Sequence, residues 1–196
     1  MKLDFDPAKA VADERELYLS VRMNATHEMH GGEGFAVLGG VEVMLLWESL
    51  SSSFVSGNWI AVVLSAQAMC ERGLADLYSL HDLPGVQSSG RRDWENAALG
   101  KLLNWAREDG DVPPDVLDKI QILCDRRKVL THWKRPLESG TIMSRIVELV
   151  RRDDDDVRDF YEIQDALLAQ DAMDAMDAVF EFCFGNQMLM LKWRGR

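Results

Sequence analysis

Residues 59–80 read WIAVVLSAQAMCERGLADLYSL. The first half of this stretch is apolar on almost every side, the pattern of a helix that neighbouring elements cover all round. Asn58 stands before it as an N-cap. A helix of that kind lies at the centre of a bundle, so these residues set the fold class.

Working outward, the flanking segments keep the helical period. After the Gly39-Gly40 break, residues 41–54 form a second helix with Val43, Leu46, Trp47 and Leu50 on one face. Before it, Asp6-Pro7 sets an N-cap and a first-turn proline for a helix ending near Met29, ahead of Gly31-Gly32. Leu17, Leu19, Val21 and Met23 also alternate there, so a short strand is a second reading of the same residues.

On the other side, residues 81–93 turn polar and hold Pro84, Gly85 and Gly90, a loop. A short helix is expected over 94–108, with Leu99, Leu102, Leu103 and Trp105 as its apolar side. Gly110 closes it, and Pro113-Pro114 opens a helix that Pro136 stops near Trp133. Ser139-Gly140-Thr141 restarts a helix carrying Ile142, Ile146, Leu149 and Val150. The acidic run Asp153 to Asp156 interrupts it before a long helix over 157–184 and an apolar tail. The expectation is an all-α, up-and-down bundle of six or seven helices with short connections.

At 196 residues the chain fits a single domain, divisible into an N-terminal helical extension (1–56), a central part (57–136) and C-terminal helices (137–196) packing on it. No apolar run reaches membrane length, and the start carries acids where a signal peptide has an apolar core, so the chain is read as cytoplasmic. The net charge of -11 opposes broad binding to nucleic acid or anionic membrane. Its distribution is uneven: residues 91–136 hold 10 basic and 8 acidic side chains, against 5 and 12 before them and 7 and 13 after. Cys70, Cys124 and Cys183 are too scattered for a disulfide framework or a zinc site and read as reduced core thiols.

The positive segment ends in ILCDRRKVLTHWKRP, residues 122–136. Arg127 and His132 stand five positions apart, with Arg126 and Lys128 flanking the arginine, and Trp133 and Lys134 following the histidine. One reading is a basic helix end placed against the macrodipole, with His132 capping the last carbonyls. The other is that the chain's chemistry sits at this helix end.

Residues 57–136 resemble the HEPN superfamily of helical-bundle proteins. AQAMCERGLADLY is similar to the first core helix of such domains, LGKLLNWAREDGDVPPDVLDKI to the second helix and its link, and CDRRKVLTHW to the RNxxxH signature. Lys128 stands where that signature has a small polar residue, and Arg126 offers a second choice of arginine. The resemblance implies a homodimer whose paired Arg127 and His132 line one cleft, and metal-independent cleavage of single-stranded RNA. It also implies toxin-like behaviour restrained by an antitoxin or nucleotidyltransferase-like partner. In that setting His132 serves as general acid or base and Arg127 as phosphate binder, with Arg126, Lys128 and Lys134 as further phosphate contacts and Trp133 as a base-stacking platform. No cofactor is implied. The alternative is a non-catalytic interaction module built on the same bundle.

Five residues along an α-helix rotate a side chain by about 500°, so Arg127 and His132 point roughly 140° apart. A second copy is needed to bring the two types together. Elsewhere, His27 and His30 near Glu28 and Glu33 lack the spacing of a metal motif and read as a solvated helix end. Asp171, Asp174 and Asp177 read as a solvated face beside an Ala166, Ala169, Met173, Met176, Phe180 stripe.

Overall fold

A computed structural model describes residues 5–31, 38–81, 93–132, 134–152 and 159–185. Within them seven α-helices follow one another: α1 (Ala12–Met29), α2 (Gly40–Ser56), α3 (Trp59–His81), α4 (Leu99–Asp109), α5 (Pro114–Thr131), α6 (Ile142–Arg152) and α7 (Phe160–Val179). A 3₁₀ turn, Trp94–Asn96, precedes α4, and a π-helical turn, Phe180–Phe184, extends α7. The described residues contain no strand, so the alternation near Leu19 belongs to a helix. The polar loop over 82–92, Trp133, the acidic run and the tail lie outside the described residues.

α3 is the centre of the bundle and packs against α2, α4, α5 and α7. The Asn58 side chain accepts a hydrogen bond from the Ala61 N–H at 3.3 Å, and its carbonyl accepts from Val62, which starts the helix where the sequence places it. Val62, Val63, Ala66, Met69, Cys70, Leu74 and Leu77 are all buried, so burial runs round more than one face. Gly73 allows a close approach: a Cβ there would stand 2.8 Å from Cε1 of the buried Phe182 ring. Cys70 and Cys183 meet at this contact. A hydrogen bond between the two thiols, then burial, hold the Cys183 thiol well above its ordinary range, which agrees with reduced core cysteines.

Three helix boundaries differ from the expectation. Asp6 caps only one turn, its carboxylate accepting from Ala8 N–H, and α1 begins afresh at Ala12. Val11 is extended at the break, and its N–H is taken up by the Glu14 carboxylate at 3.0 Å. The break turns the chain back so that Phe5 stacks on Tyr18 with ring centroids 4.4 Å apart. The helix expected over 94–108 is split by extended Ala97 and Ala98, which lets Trp94 pack against the core beside α3 while Leu99, Leu102 and Leu103 bury themselves from α4. α5 stops at Thr131, two residues early. In α6, Val150 is exposed, while Ile146 is buried.

α7 corrects the reading of the aspartates. Asp171 is buried, and Asp177 accepts a hydrogen bond from Arg22 of α1 at 2.7 Å; only Asp174 keeps to its own helix surface, where it accepts from Gln170. A spacing of three turns each carboxylate back by about 60°, so the three fan across the helix instead of sharing a face. At the π turn, Phe180, Phe182, Cys183 and Phe184 are all buried, and the Phe184 ring meets Trp47 of α2 edge-on at 4.9 Å. The Phe184 carbonyl lies 2.7 Å from His30 Nε2.

Candidate functional site

The last two turns of α5 place the basic residues of the motif. Pro113 and Pro114 fix the start, Val116, Leu117, Ile120, Leu123 and Cys124 bury one side, and the charged residues come out on the remaining arc. Thr131 Oγ1 donates to the Arg127 carbonyl and His132 N–H to that of Lys128, and neither bond uses the imidazole. His132 then turns to extended backbone (φ -113°, ψ 137°), which ends the helix. Its side chain is exposed, and among the described residues it has no hydrogen-bond or ionic partner.

Four of the described cations around it fare differently. Arg126 reaches back to the buried Asp171, Nε to Oδ1 at 3.1 Å, although its N–H makes no hydrogen bond there. Asp171 is gripped instead by Arg145 of α6, Nη1 to Oδ2 at 2.6 Å and Nη2 to Oδ1 at 2.9 Å, a two-pronged guanidinium pair. One carboxylate thus ties α5, α6 and α7 together. Lys128 donates to Asp125 at 3.0 Å, and that hydrogen bond raises its pKa; Lys134 stands 3.4 Å from Glu138. Both lysines are on the surface, where such pairs open readily.

Arg127 turns the other way. It lines a groove of about 1060 Å³ between α2, α3 and the end of α5, with Thr131 beside it. Leu45, Leu46 and Leu64 supply apolar wall; Glu42, Glu71 and Glu95 bring acids, and Arg72 a second cation. Arg127 Nε is buried without a hydrogen-bond partner. Arg126, Lys128 and Lys134 line a separate depression of about 490 Å³ with Ile122 and Ser139. His132 lines neither, so one copy of the chain does not bring Arg127 and His132 into a shared pocket, as their spacing predicts.

Among the described residues no group of three or more histidines, cysteines or acids is arranged to hold a metal ion. No described helix is long and apolar enough to cross a membrane. Sequence reasoning missed the Arg145–Asp171 pair and the acids of the groove. Asp171 had a signal: Leu168, Asp171, Ala172, Ala175 and Val179 share a helical period whose other members are all apolar. Glu42, Glu71 and Glu95 come from three separate elements and carry no common pattern.

No family model matches the chain, and no match was found to a curated protein or a solved structure.

Proposed function

We propose that the chain is a HEPN-like protein that cleaves single-stranded RNA without a metal ion, two copies joining at the ends of their α5 helices. The observation that carries this reading is His132, whose ring is exposed at the helix end and takes no part in capping it. Exposed apolar side chains beside the motif, Ile122 at 48%, Leu137 at 68% and Met143 at 36%, give a second copy something to cover. In this arrangement one His132 removes the proton from a ribose 2′-hydroxyl and that oxygen attacks the adjacent phosphorus. The bond to the 5′-oxygen breaks, and the His132 of the second copy protonates the leaving oxygen. Arg127 offsets charge on the phosphate, a task suited to a planar guanidinium.

The test is cleavage of single-stranded RNA in EDTA by the purified chain. His132→Ala is expected to lower the rate by about 10²-fold or more while the helical circular dichroism stays unchanged. Equal rates for parent and variant sink the reading.

A second reading, a non-catalytic dimerisation or interaction module, has its own support. Arg126, Lys128 and Lys134 each face an acid of the same chain, and Arg127 lies among glutamates, an environment less suited to a polyanion. A parent chain that cuts no RNA but self-associates, or holds an antitoxin-like partner, through the same face selects it.

A further inference from the structure

Arg126, Lys128 and Lys134 line a depression between α5 and the turn that precedes α6, with Asp125, Ser139 and Gly140 around it. The proposed chemistry leaves it unused. The charges of its ion pairs do not balance: Asp171, Asp125 and Glu138 answer Arg126, Arg145, Lys128 and Lys134, three carboxylates for four cations. Arg126 is the surplus. Both Asp171 oxygens already accept from Arg145, and the buried Arg126 Nε, 3.1 Å from one of them, makes no hydrogen bond. The two lysines are paired at the surface, where such contacts open at little cost. An ammonium also carries three donors, so each lysine can keep its acid and still turn a donor to a ligand.

The turn after Pro136 adds neutral donors. Among the described residues, the Ser139 hydroxyl and the N–H groups of Ser139 and Gly140 have no hydrogen-bond partner. Gly140, at φ +85°, has open space where a Cβ would stand. A surplus guanidinium, two ammonium groups and unspent N–H and O–H donors suit a compact oxyanion, and the one carboxylate in the lining, Asp125, is already bound to Lys128.

We propose that this depression binds a phosphate group, held by Arg126, Lys128 and Lys134 together with the donors of Ser139 and Gly140. Two carriers present that group, a free phosphate and the backbone of single-stranded RNA. Lys128 stands four residues before His132, about 40° round the axis of α5, so a strand phosphate seated here flanks the one on which His132 acts. That last step rests on the RNA reading; the site itself uses neither Arg127 nor His132.

The test is a nuclear magnetic resonance titration of the isotope-labelled full chain with inorganic phosphate at fixed ionic strength, chloride serving as the comparison anion. The backbone N–H signals of Ser139 and Gly140 are expected to shift saturably with phosphate and not with chloride. Lys128→Gln combined with Lys134→Gln is expected to weaken binding by about tenfold or more. Lys101→Gln combined with Arg107→Gln removes the same charge from exposed pairs elsewhere and is expected to leave the affinity within about twofold. A short single-stranded DNA, which lacks the 2′-hydroxyl, separates the carriers. It moves the same signals at lower concentration than phosphate if the group belongs to a strand, and leaves them to phosphate alone if it is free; both outcomes uphold the site. His132→Ala is expected to keep phosphate binding, so this site and the RNA reading fail separately. No saturable shift at Ser139 and Gly140, shifts spread evenly over the other basic residues, or equal weakening in the two double variants overturns the proposal.

Discussion

Asp171 is the residue on which the motif helix depends. A carboxylate with its side chain only 2% exposed is tolerable in a helix core only when its charge is answered, and here Arg145 answers it with two hydrogen bonds while Arg126 adds a third cation contact. Removing the carboxylate leaves Arg145, itself 14% exposed, without its partner. Asp171→Ala is therefore expected to lower stability by about 3–5 kcal/mol, read as a fall in the urea midpoint. Asp125→Ala, which breaks only the exposed pair with Lys128, is expected to leave the midpoint nearly unchanged. The same comparison explains what could be read from the residues alone. Arg126 was legible as a cation near the helix end, whereas its partner sits 45 positions away on a helix whose rotation relative to α5 no local pattern fixes. Burial of an aspartate follows from the arginine that meets it, and that meeting is tertiary.

Helices as elements were more legible than their ends. α3 is announced by its Asn58 cap and its all-round apolar first half, and α5 by Pro113-Pro114, because both signals act within a few residues. The breaks at Val11 and at Ala97-Ala98 serve distant contacts instead, Phe5 on Tyr18 and Trp94 against the core, and periodicity alone does not register them. Element packing gives a sharp test at Gly73, where α3 meets the Phe182 ring. Phe182 is fully buried, so its ring gives way only by displacing packed neighbours. Gly73→Ala, although it favours the helix locally, is expected to destabilise the fold by about 1–3 kcal/mol through overpacking, measured by thermal unfolding.

At the scale of the whole molecule, the chain's negative charge and its exposed apolar residues near α5 bear on assembly together. Two copies each carrying -11 repel at long range, so the pairing proposed above depends on local contact, for which Ile122, Leu137 and Met143 are exposed. Sedimentation is expected to show a dimer whose affinity rises with salt as that repulsion is screened, and Leu137→Asp is expected to return the chain to monomer with its helical spectrum intact; a parent that stays monomeric at 100 µM, about the upper range of such a measurement, removes the composite site. Bundle architecture was legible from the sequence because every segment carries its own helical period. The division of Arg127 and His132 between different surfaces was legible too, from their spacing alone. The π turn at Phe180–Phe184 sets where the Phe184 ring points. A turn closed over five residues instead of four is an α-helix that has absorbed one inserted residue. A chain one residue shorter there would revert to an ordinary helix and swing the Phe184 ring about 100° away from Trp47.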